Sequence, residues 1–314
     1  EAKVTKMLES KGINKKEIGR EKFLEYSMEW KEKYGGTILK QLRRLGASCD
    51  WSKTKFTMDP EYSKSVTEAF VRLYKDGLIY KGKRMVNWDP VGMTALSDEE
   101  VLYKQKAGKL WHLKYPVKDS EEHIIVATTR PETMLGDTGI AVNPNDSRYK
   151  KLIGKSIVLP IVNREIPVFS DEYVDMDFGT GCVKVTPAHD PNDFEMGKRN
   201  NLDIINIMNK DASLNDMVPK DYIGLDRYDA RRKVIEQLET IGLIDKVEDY
   251  NHQVGHSERT DAVIEPYLST QWFLKMEDLS KPALKAVNSG EINFYPKRWT
   301  KTYNHWLENI KDWC

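Results

Sequence analysis

Two stretches of the chain concentrate side chains that can bind a small polar substrate. In Gly179–Phe194, the segment VKVT alternates, so Lys184 and Thr186 are predicted to share one face of a strand. Asp190, followed by proline, reads as a helix N-cap, and Asp193 comes three residues later at the same helix start. One polar face on an otherwise apolar strand indicates a small pocket lined with hydrogen-bonding groups.

The other stretch, Ile124–Asp137, supplies hydroxyls and a second cation. Pro131 disfavours helix at Arg130 and predicts an extended turn there, with three threonines around it, Thr128, Thr129 and Thr133. Together the two stretches offer hydroxyls, two cations and two carboxylates. They contain no Ser-His-Asp set for nucleophilic catalysis.

A structural interpretation of these residues stays open beside the functional one. Asp190 and Asp193 can simply cap a helix and complement its dipole, and Lys184 can be a solvated strand residue. His189 is either a general base or a hydrogen-bonded turn histidine. His252 and His256 have the spacing of a zinc-hydrolase pair but lack the glutamate after the first histidine, so no metal site is predicted.

Composition excludes several classes of protein. The 314 residues allow two or three domains, and with 49 basic against 49 acidic residues the net charge gives no argument for nucleic-acid binding, so any basic footprint must be local. No apolar run approaches the roughly 18 residues of a membrane span, and the first residues do not resemble a signal peptide. Three widely spaced cysteines indicate reduced thiols, so a cytoplasmic location is expected.

The pattern of elements predicts an α+β protein. Residues 1–46 read as helices, with a break at Gly35-Gly36. Six short β-rich runs follow within about 80 residues and predict a small barrel or sandwich; they are LWHLKYPV, HIIVATT, TGIAV, SIVLPIV, REIPVF and GCVKVT. Helices are predicted at 190–199 and 226–241. The β block with its helices is predicted to be one inserted domain, residues 106–250.

Several longer strings resemble the class I valyl-tRNA synthetases. GREKFLEYSMEWKEKYGG, QLRRLGASCDW, GLIYKGKRMVNWDP and TALSDEEV resemble the part that follows the first ATP-binding signature of that family. TTRPETMLGDTGIAVNPND and GTGCVKVTPAHDPNDF are similar to its inserted editing domain. IEPYLSTQWFLKM and WLENIKDWC resemble the return into the catalytic fold. Lys184 within VKVTPAHDPND distinguishes the valyl pattern from the leucyl and isoleucyl ones.

The resemblance implies an internal fragment of a ligase. It predicts a small β-barrel-like editing domain with flanking helices at 106–250, inserted between 1–105 and 251–314 of a class I nucleotide-binding catalytic domain. The histidine-rich and lysine-rich ATP signatures of the family do not occur. The resemblance therefore implies ATP and Mg²⁺ for the full-length parent, no cofactor for editing, and no aminoacylation by this chain.

The activity that the resemblance implies is hydrolysis of a mischarged ester. Threonine is nearly isosteric with valine, so an apolar pocket for valine rejects it only about a hundredfold, an established figure for this very family, and a second, editing site removes the error. The implied substrate is threonyl-tRNA(Val), and the implied partner is the 3′ acceptor end of the valine tRNA. A non-catalytic module that binds the acceptor end is the alternative.

The resemblance also implies roles for the residues of the two stretches. Lys184 and Thr186 would read the threonine hydroxyl, with Asp190 holding Lys184, and Asp193 would pair with the α-ammonium. The terminal adenosine would be positioned by Thr128, Thr129 and Arg130, with Phe178 stacked on its base. Asp137 would order the loop or a water, and the group that takes the proton of the water is Asp193, Asp137 or a ribose hydroxyl. The catalytic candidates are Asp193, Asp137 and Thr129; the substrate-binding candidates are Thr128, Arg130, Thr133, Phe178, Lys184, Thr186 and Asp190.

Overall fold

The computed structural model describes the backbone of residues 1–314 and every side chain except that of Lys16. The chain forms two compact units, one from residues 1–82 and 272–314 and the other from residues 83–271. The helices are α1 (Ala2–Glu9), α2 (Lys15–Arg44), α3 (Pro60–Lys75), α4 (Pro191–Arg199), α5 (Arg227–Thr240), α6 (Glu277–Asn288) and α7 (Trp299–Glu308). The strands are β1 (Ile79–Asp89), β2 (Thr94–Leu96), β3 (Val101–Pro116), β4 (His123–Thr128), β5 (Gly139–Val142), β6 (Ser156–Val158), β7 (Glu165–Ser170), β8 (Cys182–Val185), β9 (Ile244–Ser257) and β10 (Glu265–Leu274).

The first unit is mainly helical, as the periodicity of residues 1–46 predicts. The predicted break at Gly35-Gly36 is wrong, because α2 continues through both glycines. Two glycines cost a helix interior only about 1 kcal/mol each, which the strong helix formers on either side offset. The interruption lies instead at Gly19, whose φ of +74° is accessible to glycine at little cost. None of the described helices is both long and apolar enough to cross a bilayer.

The second unit contains the predicted β-rich block, and all six predicted strands are present. Strand β3 pairs antiparallel with β4 and with β9, giving the order β4-β3-β9. A second sheet has the order β6-β7-β5-β8, in which β5 runs parallel to β7 and antiparallel to β8. Among the described residues no sheet closes on itself. The α+β class is thus confirmed, whereas the barrel-like form of the domain is not, because the strand orders describe no closed barrel.

The long β3–β9 ladder extends the compact unit past the β-rich runs. It runs from Val101 opposite Ser257 to Leu113 opposite Ile244, so residues 106 and 250 lie within paired strands. The ordered backbone hydrogen bonds of this ladder make the two strands one structural element. The functional assignment of residues 106–250 stays a prediction, since compactness alone does not delimit a function.

The core of this unit lies between the sheets and helix α5. The alternate residues Leu113 and Tyr115 of β3 are fully buried, as period-two packing requires. The opposite boundary of the core is α5, which buries Ala230, Val234 and Leu238. The 3₁₀ turn Pro131–Gly136 is completely buried between these elements. The turn that follows the first two threonines of the Thr-rich stretch is therefore fixed by packed structure.

Candidate active site

A cleft of about 330 Å³ brings the two predicted stretches together. Its walls come from the end of β4 with the following turn, from β8 with the start of α4, and from the β3–β9 ladder. The lining residues that the sequence analysis singled out are Thr128, Thr129, Arg130, Thr133, Phe178, Lys184, Thr186, His189, Asp190 and Asp193. Asp137 is the one predicted site residue that does not line the cleft.

The floor of the cleft is a polar cluster centred on Lys184. The Lys184 Nζ donates to Thr133 Oγ1 at 3.0 Å and to Thr186 Oγ1 at 2.5 Å. Its third partner is Asp137 Oδ1, at 3.0 Å. The lysine thus uses all three of its donors, and it holds both threonine hydroxyls in defined orientations.

Asp137 supports this floor from beneath. Its side chain is fully buried, and burial raises its pKa while the neighbouring Lys184 opposes that rise. Thr186 Oγ1 donates to Asp137 Oδ1 at 2.5 Å, and Tyr115 Oη donates to Asp137 Oδ2 at 2.7 Å. Sequence reasoning missed Tyr115. The available signal was a tyrosine at a core-facing position of β3, where its hydroxyl needs a partner.

The two carboxylates at the start of α4 have separate tasks. Asp190 caps the helix, since its Oδ1 accepts from the backbone N–H of Asn192 at 2.8 Å and of Asp193 at 3.1 Å. The cap prediction is confirmed. The predicted contact of Asp190 with Lys184 is replaced by the ion pair of Lys184 with Asp137, because the cap turns the Asp190 carboxylate towards its own helix.

Asp193 presents a carboxylate at the cleft that is only 7% exposed. Its Oδ2 accepts from the Thr186 backbone N–H at 2.8 Å, which leaves Oδ1 without a hydrogen-bond donor among the described residues. Burial raises the Asp193 pKa to about 7, with Lys184 acting in the opposite direction. A cationic group that entered the cleft beside it would stabilise the ionised form.

Arg130 is held by the protein itself. Its Nη1 donates to the His189 carbonyl oxygen at 3.1 Å, and its guanidinium pairs with Glu265 and lies 3.5 Å from Glu132. Glu132, which is fully buried, also forms a bidentate pair with Arg231 at 2.7 and 2.8 Å. The guanidinium therefore stabilises the turn. It has fewer N–H donors available to a substrate than an unpaired arginine would have.

The threonines before this turn differ in their partners. Thr128 is buried, and its Oγ1 accepts from the Arg130 backbone N–H at 3.0 Å. Thr129 lines the cleft and is half-buried, with no side-chain hydrogen bond among the described residues. Of the two, Thr129 is the more exposed, and its hydroxyl keeps its full hydrogen-bonding capacity for a ligand.

His189 is a turn histidine. Its Nε2 accepts from the Ile207 backbone N–H at 3.1 Å, which occupies the lone pair that a base would need. Burial, assisted by the positive charge of Arg130, lowers the His189 pKa to about 3. The ring is therefore neutral at physiological pH and cannot take a proton from water there. Of the two roles considered for His189, the structure supports the structural one.

The rim of the cleft is aromatic. Phe178 is 67% exposed beside the floor. On the other side, Tyr250 and His252 of β9 line the cleft with their rings nearly parallel, 5.8 Å apart at an angle of 21°. Sequence reasoning considered His252 only as a zinc ligand and missed its pairing with Tyr250, although residues two apart on a strand necessarily share a face.

Comparison with known proteins places the chain in a family. The family model for tRNA synthetases of class I (I, L, M and V) matches residues 1–314. The chain is 55% identical over 313 residues to the valine–tRNA ligase of Christiangramia forsetii, covering 100% of this chain and 36% of the relative.

Two further relatives have the same description. The valine–tRNA ligase of Clostridium tetani is 55% identical over 314 residues, covering 100% of this chain and 36% of the relative. That of Fusobacterium nucleatum is 56% identical over 312 residues, covering 99% and 35%. The chain spans about a third of the length of these curated relatives. By this match along its whole length, the chain belongs to the class I tRNA synthetases (I, L, M and V), and the relatives confirm the valyl resemblance of its motifs.

Proposed function

We propose that this chain carries the editing site of a valine–tRNA ligase and hydrolyses the ester of threonyl-tRNA(Val). The observation that carries the proposal is the polar floor of Thr133, Lys184 and Thr186 with the Asp193 carboxylate beside it. Water adds to the ester carbonyl, the bond to the ribose oxygen breaks, and free threonine and tRNA leave. The full-length parent would attach valine to the same tRNA.

The floor selects for a hydroxyl by its unfilled hydrogen-bonding capacity. Thr133 Oγ1 donates to the Arg130 carbonyl oxygen and accepts from Lys184, and Thr186 Oγ1 donates to Asp137 and accepts from Lys184. Each threonine oxygen therefore keeps one lone pair. A substrate hydroxyl can donate to it, whereas the methyl of valine would leave it unpaired at a cost of about 1–3 kcal/mol.

Asp193 is the proposed recognition group for the α-ammonium of the amino acid. A substrate α-ammonium placed at its free Oδ1 would form a charge-assisted hydrogen bond and would lower the carboxyl pKa from about 7. Only an aminoacyl group with a free amine can supply this cation. The pairing thus favours aminoacyl esters over the bare tRNA end.

The hydrolysis itself needs positioning more than a nucleophile. An aminoacyl ester is already activated, so a water held near its carbonyl can suffice. Asp137 is poorly suited as the base, because it is fully buried and its oxygens accept from Tyr115, Lys184 and Thr186. The proton of the water goes to Asp193 or to the neighbouring ribose hydroxyl. Since neither ATP signature of the family is in the sequence, no step is assigned to ATP or Mg²⁺.

The test is deacylation of threonyl-tRNA(Val) by this chain. Lys184→Ala and Asp193→Ala should each lower kcat/KM by about 10- to 100-fold, because each loses a buried polar contact of about 1–3 kcal/mol. Lys198→Ala, which removes an exposed lysine of α4, is the matched control and should be unaffected. Valyl-tRNA(Val) should be hydrolysed far more slowly.

Two results would count against the proposal. Full deacylation by both cleft variants would show that the floor does not recognise the substrate. Binding of threonyl-tRNA(Val) without turnover by the unmodified chain would favour the alternative, a module that only binds the acceptor end.

A further inference from the structure

The stacked pair Tyr250 and His252 has no task in the reaction described above. Both rings belong to the same face of β9, line the cleft and are half-buried, so each keeps an accessible surface. Aromatic planes exposed beside a polar cleft are the usual means of holding an unstacked nucleobase.

Gly108 on the neighbouring strand allows this arrangement. It lies directly opposite Tyr250 in the β3–β9 ladder. A Cβ at this position would lie 3.0 Å from His252 Cε1, so a larger residue would push the imidazole away from the backbone by a few tenths of an ångström. His252 Nδ1 is buried and has no hydrogen-bond partner among the described residues. Packing against Gly108 and Tyr250 therefore positions the ring.

An unneutralised cation lies next to the pair. Lys106 is opposite His252 in the ladder, hence on the same face, and its exposed side chain has no ion pair among the described residues. By contrast, Lys104 and Lys109 of the same strand pair with Asp261 and Asp249. A base on the aromatic pair would bring its phosphate within reach of Lys106.

We propose that Tyr250 and His252 form a stacking site for the unpaired nucleotide that precedes the terminal nucleotide of the tRNA. The inference rests on the proposed function, in which the terminal nucleotide carries the ester over the polar floor. Phe178, in the segment that leads into β8, is the surface available to the terminal base. The aromatic pair belongs to a different wall, whose exposed face continues towards Lys106. The site would accept any base, because stacking uses the ring face.

The experiment compares two threonine esters. Threonyl-tRNA(Val) has the preceding nucleotide, and 3′-O-threonyl-adenosine lacks it. Tyr250→Ala should raise KM for the tRNA ester about tenfold, within the 5- to 150-fold expected for loss of one stacked base, while kcat stays unchanged. KM for the adenosine ester should not change, and Tyr250→Trp should restore the value for the tRNA ester.

Tyr103→Ala is the matched control, since Tyr103 is a 66% exposed tyrosine of β3 on the opposite face of the ladder. An unchanged KM for the tRNA ester in Tyr250→Ala would overturn the inference. An equal rise for both esters would also overturn it, because the ring would then serve the terminal nucleotide or the fold. If Tyr250→Ala does not fold, His252→Ala provides the same comparison.

The inference can be tested separately if the proposed function is wrong. If the unmodified chain does not turn over either ester, the stacking site is tested by the affinity for a short single-stranded RNA with the tRNA 3′ sequence. Fluorescence anisotropy should then show a Kd about tenfold higher for Tyr250→Ala than for Tyr103→Ala. Equal Kd values would overturn the inference.

Discussion

Replacing Asp193 by asparagine should stabilise the fold while it lowers the proposed activity. The carboxyl is 7% exposed, and burial raises its pKa from the ordinary 3.8 to about 7. This change corresponds to about 4 kcal/mol against the ionised form at a pH above 7. An asparagine oxygen can still accept from the Thr186 N–H, but its amide needs a partner of its own. We therefore expect a net gain of about 1–3 kcal/mol.

The effect has a definite dependence on pH. Since the folded-state pKa of Asp193 lies above the unfolded-state value, the folded chain binds the proton more tightly. The destabilisation is absent below about pH 4, grows as pH rises and is complete above about pH 7. The stability difference between Asp193→Asn and the unmodified chain should therefore be larger at pH 8 than at pH 5.

Urea denaturation at the two pH values measures this difference directly. Asp171→Asn is a control of opposite sign, because burial raises the Asp171 pKa but the hydrogen bonds from Arg199, the Tyr173 backbone N–H and Asn200 together lower the pKa overall. That variant should be less stable than the unmodified chain at pH 8. The reasoning would be refuted if Asp193→Asn were no more stable at pH 8, or if its advantage were the same at pH 5.

Two further predictions concern buried polar groups behind the cleft. Tyr115→Phe removes the donor to Asp137 and should cost about 1–3 kcal/mol in urea denaturation; it should also lower kcat/KM for threonyl-tRNA(Val), and unchanged values of both would contradict the role given to Tyr115. Glu132→Gln leaves Arg231 without its buried counter-charge and Arg130 with Glu265 alone, and should cost about 3–5 kcal/mol; a loss below 1 kcal/mol would show that this network does not hold the turn.

The sequence predicted the elements of the second unit well. The six β-rich runs are strands, and both predicted helices begin at their aspartate caps, Asp190 and Asp226. These predictions succeed because caps and alternation depend on residues within a few positions of each other. The predicted break at Gly35-Gly36 is wrong because it considers only the local cost of two glycines. The rest of the long helix α2 outweighs that cost.

The pairing of the strands into sheets could not be predicted from the local sequence. A barrel and two open sheets can be built from the same short strands, since alternation shows which face is buried but not which strands pair. The length of the β3–β9 ladder was also missed, because β9 carries charged or amide side chains at all but one of its exposed positions and lacks an apolar run. Its pairing partner lies more than 130 positions away for every residue pair of the ladder.

The sequence by itself determined that Lys184 and Thr186 share a face, that Asp190 and Asp193 meet at a helix start, and that the motifs are those of a valyl enzyme. Only the tertiary structure decided which groups these side chains meet. Lys184 pairs with Asp137, 47 positions away, and Arg130 is bound to Glu265, 135 positions away. Such partners are chosen by the packing of separate elements, which places each buried charge against the counter-charge that satisfies it.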